Sequence, residues 1–155
     1  MRQLWRWVVP FKVVFTDHTL KLGPLVAEWY KEKTGSEITP PYALAAILDQ
    51  EYNIQGVVWY YDYQPQGNVD IHIYTPGCFT RNVIRVVYSI AFNGLGCTRI
   101  TAKVARSNKK LLKLMPRLGF VYEFTQKRYF KDEDAIVHVL FRENITDAWT
   151  QNTKS

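Results

Sequence analysis

The chain has 155 residues, 47% of them hydrophobic and 15% aromatic, and a formal net charge of +6. Length and apolar content together exclude an intrinsically disordered chain and suffice for a hydrophobic core without disulfide or metal staples. The moderate positive charge fits a polyanionic ligand such as a nucleotide-like cofactor, or nucleic acid, and it fits a plain basic surface equally well.

In chain order, residues 5 to 15 are rich in strand formers, with Pro10 marking an edge or a bulge. The apolar run Trp5, Trp7, Val8, Val9 breaks at Pro10 and Lys12, too soon for a membrane span or a signal-peptide core. Thr16 or Asp17 can cap a helix over about 18 to 33, with Leu20, Leu25, Val26, Trp29 and Tyr30 as its apolar members. Gly23-Pro24 implies either a break in that helix or two short helices meeting there, and Gly35 ends it. Residues 42 to 50 fit strand or helix and are read as a strand beside the clear strand 55 to 63. Asn68 to Tyr74 is the next strand, and the turn Gln64-Pro65-Gln66-Gly67 makes the two a hairpin. Pro76-Gly77 breaks it. A helix over about 80 to 94 follows, with Val83, Ile84, Val87, Ile90 and Ala91 inward and Gly94 and Gly96 closing it.

The most informative stretch is Arg99 to Phe130. Ile100, Ala102 and Val104 alternate with Thr101 and Lys103, as in a strand with unlike faces. Ser107 and Asn108 are N-cap types ahead of Leu111, Leu112, Leu114, Met115 and Leu118, and Gly119 supplies the left-handed stop. A strand from Phe120 to Phe130 then pairs with Ile136 to Phe141 across the acidic turn Lys131-Asp132-Glu133-Asp134. The last dozen residues are polar and read as a loose tail. The order β-α-β-β-β-α-β-α-β-β predicts a mixed α/β (α+β) single domain over 1–144 with a tail at 145–155. Its one central mixed sheet has about six to seven strands flanked by helices.

Ala91-Phe92, Leu95-Gly96, Arg99-Ile100-Thr101-Ala102, Val104, Asn108, Leu118-Gly119-Phe120, Glu123 and Arg128 stand in an order and spacing that resembles the C-terminal half of the GNAT family of N-acetyltransferases. The resemblance covers about residues 67 to 142. It looks most like the ribosomal-protein N-acetyltransferase branch and the small versions carried by tailed bacteriophages. It implies acetyl-coenzyme A as co-substrate, lying where two parallel central strands part. Backbone groups of one strand would meet the pantetheine arm, and the turn into the next helix would hold the pyrophosphate at a helix N-terminus.

Carried onto this sequence, the cofactor-binding residues are Ile73, Tyr74, Thr75, Gly77, Cys78, Phe79, Thr80, Arg81 and Asn82, with Asn108 as a second contact. The turn departs from the family pattern. Pro76 and Cys78 stand where small residues are usual, Gly77 is its only glycine, and Arg81 can supply charge instead. Asn108 is equally explained as an N-cap, and Lys109 and Lys110 as a solvated helix face. Met115 stands where many relatives carry a proton-donating Tyr.

For catalysis, Asp70 and His72 lie two apart on the strand before the turn and share a face, so either could be the base. Glu51, Tyr129 and His138 are weaker candidates. Glu123 and Arg128 fit the acceptor side of the family pattern or a cross-strand charge pair. Cys78 and Cys97 have no metal-like spacing, no metal site is expected, and a reduced, cytoplasmic compartment is the economical reading.

Two functional readings stand. One is an acyl-coenzyme A N-acyltransferase moving an acetyl group to a protein or small-molecule amine by direct transfer. The other is a catalytically weak or inactive bacteriophage protein of the same fold that binds and modulates a host enzyme in the host cytoplasm. The surplus of aromatics (Trp5, Trp7, Trp29, Trp59, Tyr60, Tyr61) points to the second. Nucleic-acid binding rests on net charge alone, with no helix-turn-helix or RNA-binding motif, and ranks last.

Overall fold

The computed structural model describes residues 11–77 and 79–145. The expected strand over Trp5–Pro10, Cys78, and the tail beyond residue 145 lie outside the described residues. The chain is mixed α/β, with a seven-stranded sheet in the order β1-β2-β3-β4-β5-β7-β6. The described residues divide into two compact units, one comprising 11–61 and 73–87, the other 62–72 and 88–145.

In the first unit, β1 (Lys12–Asp17) pairs antiparallel with β2 (Ala43–Leu48), which pairs antiparallel with β3 (Ile54–Tyr61). Helix α1 (Leu22–Thr34) packs Val26 and Tyr30 onto Leu44, Ala46, Leu48 and Val57, with Trp29, Trp59 and Tyr74 half-buried at the margin. The helix starts later than the sequence pattern predicts. His18–Leu20 form a turn in which the Asp17 carboxylate accepts from the Thr19 backbone N–H at 2.8 Å, so Asp17 caps that turn and not the helix. Gly23-Pro24 falls in the first helical turn, where proline's missing N–H costs nothing, and no break results. Gly23 is fixed by crowding, because a Cβ there would lie 1.9 Å from the Asp17 carbonyl oxygen. Leu20 and Leu25, expected in the core, are exposed. Gly35 ends α1 at φ 77°, as its position predicts.

The first residues of helix α2 (Arg81–Ser89) also belong to this unit; Val83, Ile84 and Val87 are buried, and the Tyr60 hydroxyl donates to the Val87 carbonyl at 2.9 Å.

In the second unit, β4 (Asn68–Tyr74, of which Asn68–His72 belong here) pairs parallel with β5 (Arg99–Ala105) through Asn68–Arg99, Val69–Ile100 and Asp70–Thr101. Strand β7 (Glu133–Phe141) lies antiparallel to both β5 and β6 (Val121–Phe130). It begins at Glu133, inside the stretch read as turn, and the reversal shortens to Lys131-Asp132. Helix α3 is one short run (Lys109–Leu114) continued by a 3-10 turn (Met115–Leu118), with Asn108 capping and Gly119 at φ 95°. After α2 the chain takes a π turn over Ile90–Gly94, which the helical pattern conceals. Tyr88, Phe92, Met115, Leu118, Phe120 and Leu140 are buried, and the Tyr88 hydroxyl donates to the Leu118 carbonyl at 2.9 Å.

Candidate functional site

In the first unit, β4 ends at Tyr74 and the chain turns through Thr75–Thr80 into α2. Tyr74 is fixed by edge contacts to Trp29 and Tyr30, each with ring centroids 5.8 Å apart. The turn is closed by the Gly77 N–H donating to the Thr75 carbonyl at 2.7 Å. Gly77 has φ 135°, a conformation glycine alone adopts readily, and nothing lies within 4 Å of where its Cβ would stand. Thr80 caps α2, its hydroxyl accepting from the Val83 N–H at 3.3 Å. The first turn of α2 carries no acidic residue, so the positive end of the helix is not neutralised locally. Arg81 and Asn82 are exposed there, and Asn82 accepts from Arg85. Ile73, Tyr74, Thr75 and Phe79 are half-buried, and Gly77 and Thr80 are exposed. Backbone open around Gly77 and an acid-free helix start fit a phosphate group.

In the second unit an open polar groove of about 430 Å³ is lined by Asp62, Asn68, Asp70, Arg99, Thr101, Lys103 and Glu123 among others. Asp70 is 2% exposed. One of its oxygens accepts from Asn68 Nδ2 at 2.7 Å, the other from Lys103 Nζ at 2.7 Å. Burial acts to lower the Lys103 pKa, but the hydrogen bond and charge of Asp70 outweigh it and the net shift is upward. The Thr101 hydroxyl donates to Asn68, and Arg99 donates to Thr101 at 3.1 Å. Arg99 also makes a two-point contact with Glu123, at 2.9 and 2.5 Å, and that hydrogen bond holds the Glu123 carboxyl below its ordinary range. Glu123 therefore pairs with Arg99 on β5, across β7, and not with Arg128. Arg128 has φ 56°, and its N–H donates to Asp134 at 3.0 Å, fixing a bulge in β6.

His72 shares a strand face with Asp70 but is exposed where Asp70 is buried. The protein around the ring still removes enough water to push its pKa below the ordinary 6.5. Asn108 accepts from the Leu111 N–H at 3.2 Å, the geometry of an N-cap, and Lys109 and Lys110 are exposed beside it. Met115 is 2% exposed and has no proton to give. Among the weaker candidates, Glu51 is exposed in the turn that Asp49 organises, and His138 is buried at 6%, its Nδ1 3.2 Å from the Ile136 carbonyl. The Tyr129 ring lies under the Lys103 ammonium at 5.1 Å. Sequence reasoning missed the partners of Asp70. The available signal was Lys103 itself, a charged residue inside the otherwise apolar or small strand Ile100–Ala105.

Among the described residues no three His, Cys, Asp or Glu side chains gather as a metal ion requires, and no helix is long and apolar enough to cross a membrane.

No protein-family model and no curated protein matches the sequence. Solved structures do. A chimera of the spermidine N-acetyltransferase SpeG from Vibrio cholerae and hSSAT superposes with a TM-score of 0.69 at 16% identity, covering 84% of this chain and 96% of that one. Mutant forms of the spermidine/spermine N-acetyltransferase SpeG from Vibrio cholerae give 0.65 at 15% identity over 86% of this chain and 96% of theirs. A GNAT-family acetyltransferase from Bacillus anthracis gives 0.55 at 14% identity over 64% and 66%. At these identities the likeness is one of fold: the chain is folded as these acetyltransferases are.

Proposed function

We propose that the protein transfers an acetyl group from acetyl-coenzyme A to an amine by direct transfer. The observation that carries this reading is the passage from the end of β4 into α2, where the backbone is open around Gly77 and the Thr80-capped helix has no acid in its first turn. Its peptide N–H groups and the α2 dipole would hold the pyrophosphate, with Arg81 adding charge. Ile73, Tyr74, Thr75, Gly77, Cys78, Phe79, Thr80, Arg81 and Asn82 make up this segment, and Asn108 is the further contact that the family resemblance implies. Backbone amides over 71–75 are the donors that the thioester carbonyl would meet.

His72 is the base. Its imidazole is neutral at physiological pH because desolvation lowers its pKa, and it is exposed to an incoming amine. Asp70 is the poorer base, since both of its oxygens are already engaged, one by Asn68 and the other by Lys103. Relatives in fold that are named as spermidine acetyltransferases make a polyamine the first acceptor to try. A cytoplasmic setting, in a host if the chain is phage-encoded, accords with a reaction that uses acetyl-coenzyme A.

The test is release of coenzyme A thiol from acetyl-coenzyme A with a panel of polyamines, lysine peptides and peptide N-termini. His72→Gln should lower kcat by about 100-fold. If the cofactor binds but no amine accelerates thiol release, the second reading takes over: the same fold used to bind a host protein. The buried Met115 and the exposed apolar side chains of Val121, Tyr122 and Phe124 on β6 favour that alternative.

A further inference from the structure

Between Arg106 and Arg117 the chain carries five basic residues and no acidic one, so these twelve positions hold +5 of a formal net charge of +6. The structure divides them. Arg106 pairs with Asp134 at 3.2 Å, and Lys109 lines a depression with Asp132, Glu133 and Asp134. The acids at the β6–β7 turn thus offset those two cations. Lys110, Lys113 and Arg117 are exposed, and none of the three makes an ion pair among the described residues. They also line up. With about 100° per residue through α3 and about 120° through the 3-10 turn that continues it, the three fall within about 80° of one another. Met115 and Leu118, 2% and 5% exposed, fall on the opposite side. The stripe is about 12 Å long.

We propose that Lys110, Lys113 and Arg117 form a docking stripe for the phosphate backbone of a double-stranded nucleic acid, which they hold without reading its bases. The inference goes beyond acetyl transfer and does not rest on it. Each strand of a duplex carries one charge per about 3.4 Å of axis, so the stripe meets about three phosphates, one for each cation. An anionic membrane is a poorer match. A helix that lies on lipid needs an apolar face to insert, and in α3 Leu111, Leu112 and Leu114 are half-buried while Met115 and Leu118 are buried. An acidic protein also fits less well, since protein interfaces favour aromatic residues and disfavour lysine. No aromatic residue stands between Lys109 and Leu118, and without a ring to stack on, a single strand gains little there.

The experiment titrates the full chain into a fluorescently labelled DNA duplex of arbitrary sequence and follows anisotropy as salt rises. Three phosphate contacts predict a loss of affinity of about 40-fold between about 50 and 200 mM salt. Each single change, Lys110→Gln, Lys113→Gln or Arg117→Gln, should lower the slope of log affinity against log salt by about 1, and the triple variant should abolish the salt-dependent binding. A control triple, Lys21→Gln with Lys33→Gln and Lys131→Gln, removes the same charge from exposed positions elsewhere and should bind as the parent does. Equal weakening by the two triples would mean that net charge alone binds the duplex, and the stripe falls. No saturable binding at low salt also overturns the proposal. So does tighter binding to vesicles of phosphatidylserine in phosphatidylcholine, which would assign the stripe to a lipid surface. Loss of acetyl-coenzyme A binding in the stripe triple, with its melting temperature unchanged, would assign the cations to the cofactor's phosphates instead.

Discussion

Asp70→Ala removes a carboxylate that is 2% exposed and strands the Lys103 ammonium, itself 17% exposed, on the wall of the groove. Breaking a buried pair from one side costs about 3–5 kcal/mol, because the remaining charge keeps its desolvation penalty and loses its partner. The groove is open to solvent and Lys103 has a flexible stem, so the lower end of that range, about 3 kcal/mol, applies here. For a chain of this size that corresponds to a fall in melting temperature of about 6–12 °C. Replacing both members at once, Asp70→Leu with Lys103→Met, removes both charges and their penalties and should return stability to within about 1 kcal/mol of the parent. A double-mutant cycle by urea denaturation, with Asp70→Leu and Lys103→Met as the single variants and tryptophan fluorescence as the signal, measures the difference, and the expected coupling is about 2 kcal/mol or more. If Asp70→Ala and Lys103→Met each cost under about 0.5 kcal/mol, the pair is effectively solvated and the argument for its burial is wrong.

Three further outcomes follow from the packing. Tyr60→Phe deletes the buried hydrogen bond to the Val87 carbonyl at 2.9 Å and should cost about 1 kcal/mol in denaturant unfolding, with no change in the slope. Gly119→Ala forces a Cβ to φ 95° and to 3.0 Å from Leu140 Cδ1, and a loss of about 1–2 kcal/mol is expected by thermal melting. Glu123 is held below its ordinary 4.5 by the Arg99 hydrogen bond, and Asp49 below its ordinary 3.8 by the Asn53 N–H. Their contributions are complete above those ordinary values and disappear as pH falls through the lowered folded-state values. Denaturant midpoints should therefore be flat near neutrality and decline on acidification, and Glu123→Gln should flatten part of that decline.

The parts of the fold that were legible in the sequence are those fixed by local chemistry. Gly35 and Gly119 stop helices because both adopt positive φ, and Asn108 starts one because its side chain bonds the Leu111 N–H. The strands β3, β4 and β5 follow from β-branched and aromatic residues, while β2 (Ala-Leu-Ala-Ala-Ile-Leu) fits strand or helix by pattern and is settled by its pairing with β1 and β3. The misreadings arose where neighbours far along the chain decide. Leu20 and Leu25 match a helical stripe, but the helix begins at Leu22 and turns Leu25 outward. Glu123 was legible as a member of a cross-strand charge pair, but its partner, Arg99 on β5, stands two strands away and is identified only by the strand order. Asp70 and His72 were legible as a pair on one strand face, but Lys103, thirty-three residues later, became visible only with the β4–β5 register. The π turn at Ile90–Gly94 gives no local signal, since its residues keep an ordinary apolar spacing.

The central claim is that the Thr75–Thr80 turn and α2 serve acetyl-coenzyme A. Titration calorimetry of the purified protein with acetyl-coenzyme A tests it most directly. Saturable one-to-one binding in the micromolar range, about −8 kcal/mol and weakened severalfold by Arg81→Ala, is expected. Absence of heat and of saturation up to millimolar acetyl-coenzyme A, with the protein folded, would contradict it.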